Sequence, residues 1–222
     1  DHFISFTEKD GDGDTVRGGG ADGKEFPCPL VPNMRLEQSL MPLGIPHGWW
    51  RAPGSCALAW VTNSFLHEMS STAGRDHLEF VLDLLGEPRW LEEGNRRALN
   101  TKRAADVVRL AADKAGWGDS LPSGRARGLA FYFCHLGHFA EVAEVSVDSN
   151  NRIKLHKVVA AGDVGLILNR SGAENQVEGS IIDGWSAMLN QKITFESGRV
   201  QQSNFHNFNL LRMPQIGRAS CR

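Results

Sequence analysis

Long apolar runs are missing from this chain, and so is any excess of one charge. No stretch approaches the roughly 20 consecutive apolar residues that a membrane-spanning helix needs. Lysine and arginine together number 24 against 26 aspartates and glutamates, a net charge of −2. Nothing in that balance draws the chain toward nucleic acid or an anionic membrane. The four cysteines, Cys28, Cys56, Cys134 and Cys221, contain no CxxC pair. Neither a zinc ribbon nor a disulfide framework is therefore indicated. A GxSxG nucleophile elbow is also missing, and Gly54-Ser55-Cys56 has no evident His/Asp team, which weighs against a simple hydrolase. No signal-peptide pattern opens the chain, and it starts Asp1-His2-Phe3 without Met, so a longer polypeptide is expected.

Three partial motifs fail on chemistry. Asp10, Asp12 and Asp14 imitate the first ligands of a calcium loop, but Thr15 stands where that loop needs Gly and Ala21 where it needs a bidentate Glu. Gly18 to Lys24 fits GxxxxGK, yet Glu25 replaces the magnesium-binding hydroxyl. Pro27, Pro29 and Pro32 then forbid the helix that must follow a P-loop. His67-Glu68 begins an HExxH pattern that Ser71 breaks. His135 and His138 are three apart with no obvious third ligand, so local hydrogen bonding is the better reading.

What is present divides the chain. Residues 1–47 read as an Asp/Gly-rich solvated loop followed by a Pro-rich extended connector. Residues 48–118 read as a helical segment. It opens with Gly48-Trp49-Trp50-Arg51-Ala52-Pro53-Gly54, a rigid loop presenting a guanidinium. Arg51 there suits bidentate recognition of phosphate or carboxylate, or it stacks on its own Trp neighbours. Ala57, Leu58, Val61, Phe65 and Met69 form one apolar helix face. Asp76 and Glu79 make a capping box for a second helix, with Leu78, Val81, Leu82 and Leu85 on its face and Gly86 as its stop. A third helix runs from Thr101 to Gly116, turning Ala104, Val108, Ala111 and Ala115 inward.

From 124 the pattern changes to strands, and residues 124–214 read as a β-rich lobe. Gly128 to Cys134 is continuously apolar, like a strand buried on both faces. Ala140 to Val147 and Arg152 to Val159 form a hairpin across Asp148-Ser149-Asn150-Asn151. A second hairpin spans Ile193 to Val200 and turns at Ser197-Gly198. Between them, Val164 to Leu168 reads as a short strand and Asn169 to Asn175 as a loop. A helix then opens at Gln176-Val177-Glu178-Gly179 and carries Ile181, Trp185 and Met188. A helix start offers unpaired N–H groups, and Gln176 offers a donor and an acceptor. That pairing suits the edge of a fused heterocycle; a core helix with polar caps is the plainer alternative. Gly179 and Gly184 leave room for close approach of backbone or ligand. The fold class is α+β: a helical layer followed by a β-rich lobe.

Several segments, in order, resemble one family. They are Gly48 to Gly54, Ala73-Gly74-Arg75-Asp76, Gly124 to Ala130, Val142 to Val145, then Asp163, Gly165 and Asn169. Gln176 to Gly179, Gly198-Arg199-Val200, Asn204 to Asn207 and Leu211 to Pro214 complete the set. The set is similar to the large, molybdopterin-binding subunit of the xanthine dehydrogenase/aldehyde oxidase family, from about Phe26 to Pro214. The resemblance implies an internal fragment of a molybdenum hydroxylase. Such an enzyme hydroxylates an N-heterocycle or aldehyde with oxygen from water and passes electrons to a small iron–sulfur subunit. It implies molybdopterin in the cytosine dinucleotide form, with molybdenum and no protein metal ligand. Gln176 would contact the pterin, with Glu178 and Gly179 alongside; Arg51 would approach the cofactor, and Trp50 and Ala52 would border the substrate pocket. The general-base Glu of the family would lie beyond the chain end, so this piece is expected to be inactive alone. Arg170, Val164 and Asn175 depart from the family pattern. Residues 216–222 match a translated sequencing adapter and read as a non-native tail. A non-catalytic structural or assembly relative is the alternative function.

Overall fold

The computed structural model describes residues 2–7, 23–42 and 51–212. Asp10, Asp12, Asp14, Trp49, Trp50 and the 216–222 tail lie outside those residues. The chain forms two compact units, residues 1–165 and 166–222.

Among the described residues, unit 1 contains a two-stranded sheet, three α-helices and a three-stranded sheet. β1 (His2–Thr7) pairs in parallel with β2 (Glu37–Pro42). Among the described residues between them is a 3-10 turn at Cys28–Leu30. Phe26 and Leu30 are buried, and the Phe26 ring meets the Phe131 and Tyr132 rings edge-on at 5.1 and 6.1 Å. Proline density signals an extended path, but it does not report where an aromatic side chain inserts.

The helices are α1 (Ser55–Thr72), α2 (His77–Leu85) and α3 (Thr101–Ala115). Their ends follow the expected chemistry. The Asp76 carboxylate accepts the Glu79 N–H at 3.1 Å, and Gly86 closes α2 with φ 65°. The Asn100 side chain accepts the Arg103 N–H at 3.0 Å, and Gly116 ends α3 in the left-handed region. Thr101 is fully buried; its hydroxyl donates to the Glu87 carbonyl at 2.7 Å and accepts the Arg89 N–H at 2.8 Å.

The face of α1 differs from expectation. Leu58, Leu66 and Ser70 are its buried residues, whereas Val61, Phe65 and Met69 are exposed along with Trp60. Two apolar stripes compete on this helix. The inner one is fixed by polar contacts that hydrophobic spacing cannot register: Asn63 Oδ1 accepts the Phe131 N–H at 3.0 Å, and Ser70 Oγ pairs with His77 Nδ1 at 2.9 Å.

β3 (Arg125–Cys134), β4 (Gly137–Val147) and β5 (Ile153–Asp163) form an antiparallel sheet in that order. The β3–β4 turn uses His135 and Leu136, both at positive φ. The β4–β5 turn is held by the Asp148 carboxylate, which accepts N–H groups of Asn150 at 2.8 Å and Arg152 at 3.0 Å. β3 is not buried on both faces: Leu129 and Phe131 are buried, and their alternate neighbours are only half-covered. A meander with one helix-covered face buries every second residue. That face carries Leu129, Phe131, Ala140, Val142 and Ala161, all buried, and α3 packs on it through Ala104, Val108, Ala111 and Ala115. Alanines let the helix approach closely.

Unit 2 contains α4 (Arg170–Asn190) and a two-stranded hairpin of β6 (Phe195–Glu196) and β7 (Arg199–Val200). The hairpin turns at Ser197-Gly198, both at positive φ, as expected of an I′-type turn. Ser186 is the buried residue of α4; its hydroxyl accepts from Gln191 at 3.1 Å and from the Leu211 N–H at 3.0 Å. The α+β class read from the sequence holds. Among the described residues no helix is long and apolar enough to cross a membrane.

Candidate functional site

The segment from Asp163 onward differs from the sequence reading at two points. β5 runs to Asp163, and Val164 to Leu168 is not a strand. Leu166 and Leu168 are 87% and 92% exposed, so apolar composition here does not signal a core strand. The following helix begins at Arg170, not near Gln176. Asn169 is its cap: the side-chain oxygen accepts the Gly172 N–H at 2.9 Å. The first turns, Arg170 to Asn175, are polar and joined by an Arg170–Glu174 pair at 2.8 Å, so hydrophobic periodicity could not reveal them. The unpaired N–H groups of the helix therefore belong to the turn after Asn169, and Gln176 sits well inside it.

This shift decides which predicted residues can act together. Gln176 and Gly179 are three apart and share one helix face. Glu178 is displaced from Gln176 by about 200° around the axis. Gln176 is exposed, and its amide makes no hydrogen bond among the described residues. A Cβ added at Gly179 would meet nothing within 4 Å, and the same is true at Gly184. Nothing among the described residues therefore demands glycine there. An exposed amide beside bare backbone is a donor set that fits a planar heterocycle with N–H and C=O edges.

Arg51 and Ala52 lie in unit 1, at the turn into α1. Ala52 has φ 48°, its carbonyl accepts the Cys56 N–H at 2.9 Å, and Gly54 at φ 77° starts the helix. Arg51 is exposed on that turn. Trp50 is outside the described residues. Of the two histidines near the β3–β4 turn, His135 pairs with Cys134 Sγ at 2.7 Å, and His138 is buried. Among the described residues no group of three His, Cys, Asp or Glu side chains could hold a metal.

Asp163 and Gly165 were among the residues that carry the family resemblance, but the polar cluster they form at the end of β5 was not read from the sequence. Arg103 grips Asp163 with both arms: Nε donates to Oδ2 at 2.7 Å and Nη2 to Oδ1 at 2.6 Å. Asp163 Oδ1 also accepts the Gly165 N–H at 3.1 Å. His138 stands opposite Asp163 in the β4–β5 register, and its Nε2 accepts the Asn100 N–H at 3.1 Å. The Arg103 hydrogen bonds hold the Asp163 carboxyl down at about 2. Burial, and then the Arg103 charge, push His138 down to about 4, so it is neutral. On the other face of β4, Glu141 is half-buried between Ala130 and Ala160, and burial raises its carboxyl above the usual range. A pair 60 residues apart leaves no local pattern, which is why Arg103 and Asp163 escaped a reading by spacing.

Comparison with known proteins bears on the same region. Residues 93–217 match a family described as the molybdopterin cofactor-binding domain. The chain is 36% identical over 191 residues to the beta subunit of isoquinoline 1-oxidoreductase from Brevundimonas diminuta, covering 84% of this chain and 23% of that protein. It is 25% identical over 205 residues to a nicotinate dehydrogenase subunit from Pseudomonas putida, covering 83% and 16% respectively. It is 29% identical over 173 residues to a Gluconacetobacter polyoxogenes protein named membrane-bound aldehyde dehydrogenase [pyrroloquinoline-quinone], covering 75% and 22%. The chain spans less than a quarter of the length of these curated relatives. The match extends over more than half of the chain, from the turn before α3 past β7, and the chain belongs to the molybdopterin cofactor-binding family.

Proposed function

We propose that this chain is part of the cofactor-binding subunit of a molybdenum hydroxylase acting on an N-heterocycle or an aldehyde. The observation that carries the reading is the exposed Gln176–Gly179 face of α4, inside the range that matches the molybdopterin cofactor-binding family. Bound molybdopterin supplies the redox chemistry, with oxygen from water entering the product. The protein supplies orientation and charge. Gln176 presents N–H donors and a carbonyl acceptor to the pterin edge, and Gly179 lets the ring system lie against backbone, flanked by Glu178. Arg51 offers a planar guanidinium to the phosphates of the dinucleotide form, which we take to be the cytosine dinucleotide. Trp50 and Ala52 border the substrate. The names of the first two relatives, isoquinoline 1-oxidoreductase and nicotinate dehydrogenase, favour an N-heterocycle. Their designation as subunits favours a separate electron-accepting partner, which we take to be an iron–sulfur subunit. The general-base Glu is expected outside these 222 residues.

The test is metal and cofactor content of the protein made from the complete gene, co-expressed with its neighbouring gene products. Stoichiometric molybdenum with an extractable pterin dinucleotide is expected, and Gln176→Ala should lower molybdenum retention on dialysis. Because one relative carries pyrroloquinoline quinone in its name, the same extract is assayed for quinone. Quinone without pterin, or no molybdenum from a host that makes the cofactor, would overturn the proposal in favour of a different cofactor or a non-catalytic assembly relative.

A further inference from the structure

We infer that the outer face of α1 is an internal packing surface of the full-length subunit, covered by polypeptide of the same subunit that lies outside these 222 residues. The inference rests on the composition of α1 and on the family relationship, and it goes beyond the cofactor reading without needing it.

Two helices of unit 1 show the contrast that carries it. α3 turns one face to the sheet and fills the other with charge: Lys102, Arg103, Asp106, Arg109, Asp113 and Lys114 make up six of its 15 residues. α1 is longer, at 18 residues, and Glu68 is its single acidic or basic side chain apart from His67. Its inner side is held to the sheet, by Leu66 in the core and by Asn63 Oδ1, which accepts the Phe131 N–H. Its outer side repeats an apolar residue at every fourth position, Ala57, Val61, Phe65 and Met69, with Trp60 beside them. Among the described residues Trp60 is 70% exposed, and Val61, Phe65 and Met69 are 39%, 47% and 43% exposed. A helix that is apolar on both sides belongs in the interior of a larger body. Spacing of four also makes a ridge that seats between the side chains of a second element.

The polar groups of α1 agree with burial on both sides. The Thr62 hydroxyl donates to the Leu58 carbonyl at 2.6 Å, and the Asn63 amide donates to the Ala59 carbonyl at 2.8 Å, each one turn back. The Ser70 hydroxyl donates to the His67 carbonyl at 2.9 Å. Side chains that bond within their own helix leave water without losing a hydrogen bond.

The occupant follows from what the relatives contain. The match to the isoquinoline 1-oxidoreductase beta subunit covers 84% of this chain, a reach that necessarily includes α1, and 23% of that protein. α1 is thus part of the shared subunit, and more than three-quarters of that relative lies beyond the matched part. Cover supplied by the same polypeptide is in place as soon as the subunit folds, which suits an apolar stripe that would otherwise promote association. A partner that binds and leaves would meet a more polar face.

The test uses the enzyme made from the complete gene and assembled with its partners. Phe65 is replaced by the photoreactive analogue p-benzoylphenylalanine, the sample is irradiated, and cross-linked peptides are identified by mass spectrometry. The unmodified enzyme is footprinted with hydroxyl radicals in parallel. Cross-links should join position 65 to the same subunit outside the present 222 residues, leaving the subunit's mass unchanged on a denaturing gel. Oxidation of Trp60 and Met69 should fall severalfold below that in the urea-unfolded subunit, a protection like that of Phe131, which is 1% exposed. Cross-links to another subunit, cross-links confined to the present 222 residues, or none, would overturn the inference. Oxidation of Trp60 and Met69 at the unfolded rate, or a complete gene no longer than this chain, would do the same. If the enzyme holds no molybdenum, the cofactor reading fails, and both readouts still decide what covers α1.

Discussion

Helices α3 and α4 look alike as elements and differ in how they are held. α3 buries eight of its 15 residues, and seven of them belong to the hydrophobic cluster that includes the sheet. α4 is longer, at 21 residues, yet Ser186 is its buried residue, and Met188 and Leu189 are exposed. Both have a side-chain cap of the same kind, Asn100 and Asn169. Local chemistry therefore starts a helix equally well in either unit, whereas burial depends on what lies across from it. The lesson is that the sheet unit carries its own partners, and α4 presents its surface, including Gln176 and Gly179.

The largest test of this contrast is Phe131→Ala. Phe131 is 1% exposed in the shared core, and its loss should cost about 3–5 kcal/mol in urea unfolding. A loss under about 1 kcal/mol would mean that the sheet unit is no better packed than α4. Next in size is acid. His138 has a folded value of about 4 against an ordinary 6.5, so the unfolded chain takes up its proton first as pH falls. Its contribution is complete above pH 6.5 and is lost as pH drops toward 4, amounting to about 3 kcal/mol. Urea midpoints across that window should fall, and His138→Gln should flatten the slope. A wild-type profile flat from 6.5 to 4 would remove His138 from the account.

Asn169→Ala should cost roughly 1 kcal/mol, read as faster hydrogen exchange in the first turn of α4 and not in α3. Exchange rising equally in both would show that the two units unfold together. The smallest effect is expected at Leu168→Ala, within about 0.5 kcal/mol, because that side chain is 92% exposed. A drop comparable to that of Phe131→Ala would erase the contrast.

Much of the fold was legible. The caps at Asp76, the stops at Gly86 and Gly116, and the hairpins at Asp148–Asn151 and Ser197-Gly198 all depend on neighbours within a few residues. Cap and turn chemistry is short-range, so sequence carries it. The face of α1 was not legible, because Leu58-Leu66-Ser70 and Val61-Phe65-Met69 are both plausible stripes and the choice lies with Asn63 and His77 contacts. The start of α4 was hidden for a related reason: polar first turns leave no periodic signal. Gln176 and Gly179 were singled out by the residue pattern and then by family resemblance, and the structure added that they share a helix face which Glu178 does not.

By itself the sequence determined the α+β class, the starts of α2 and α3, two of the three hairpin turns among the described residues and the family. Each rests on residues close together in the chain or on an ordered set of short motifs. Only the tertiary structure decided that β3 is buried on one face, that Phe26 belongs to the core, and that Arg103 meets Asp163. Those outcomes depend on groups that folding brings together from distant parts of the chain, 60 residues apart for Arg103 and Asp163, and no local pattern of side chains encodes such a meeting.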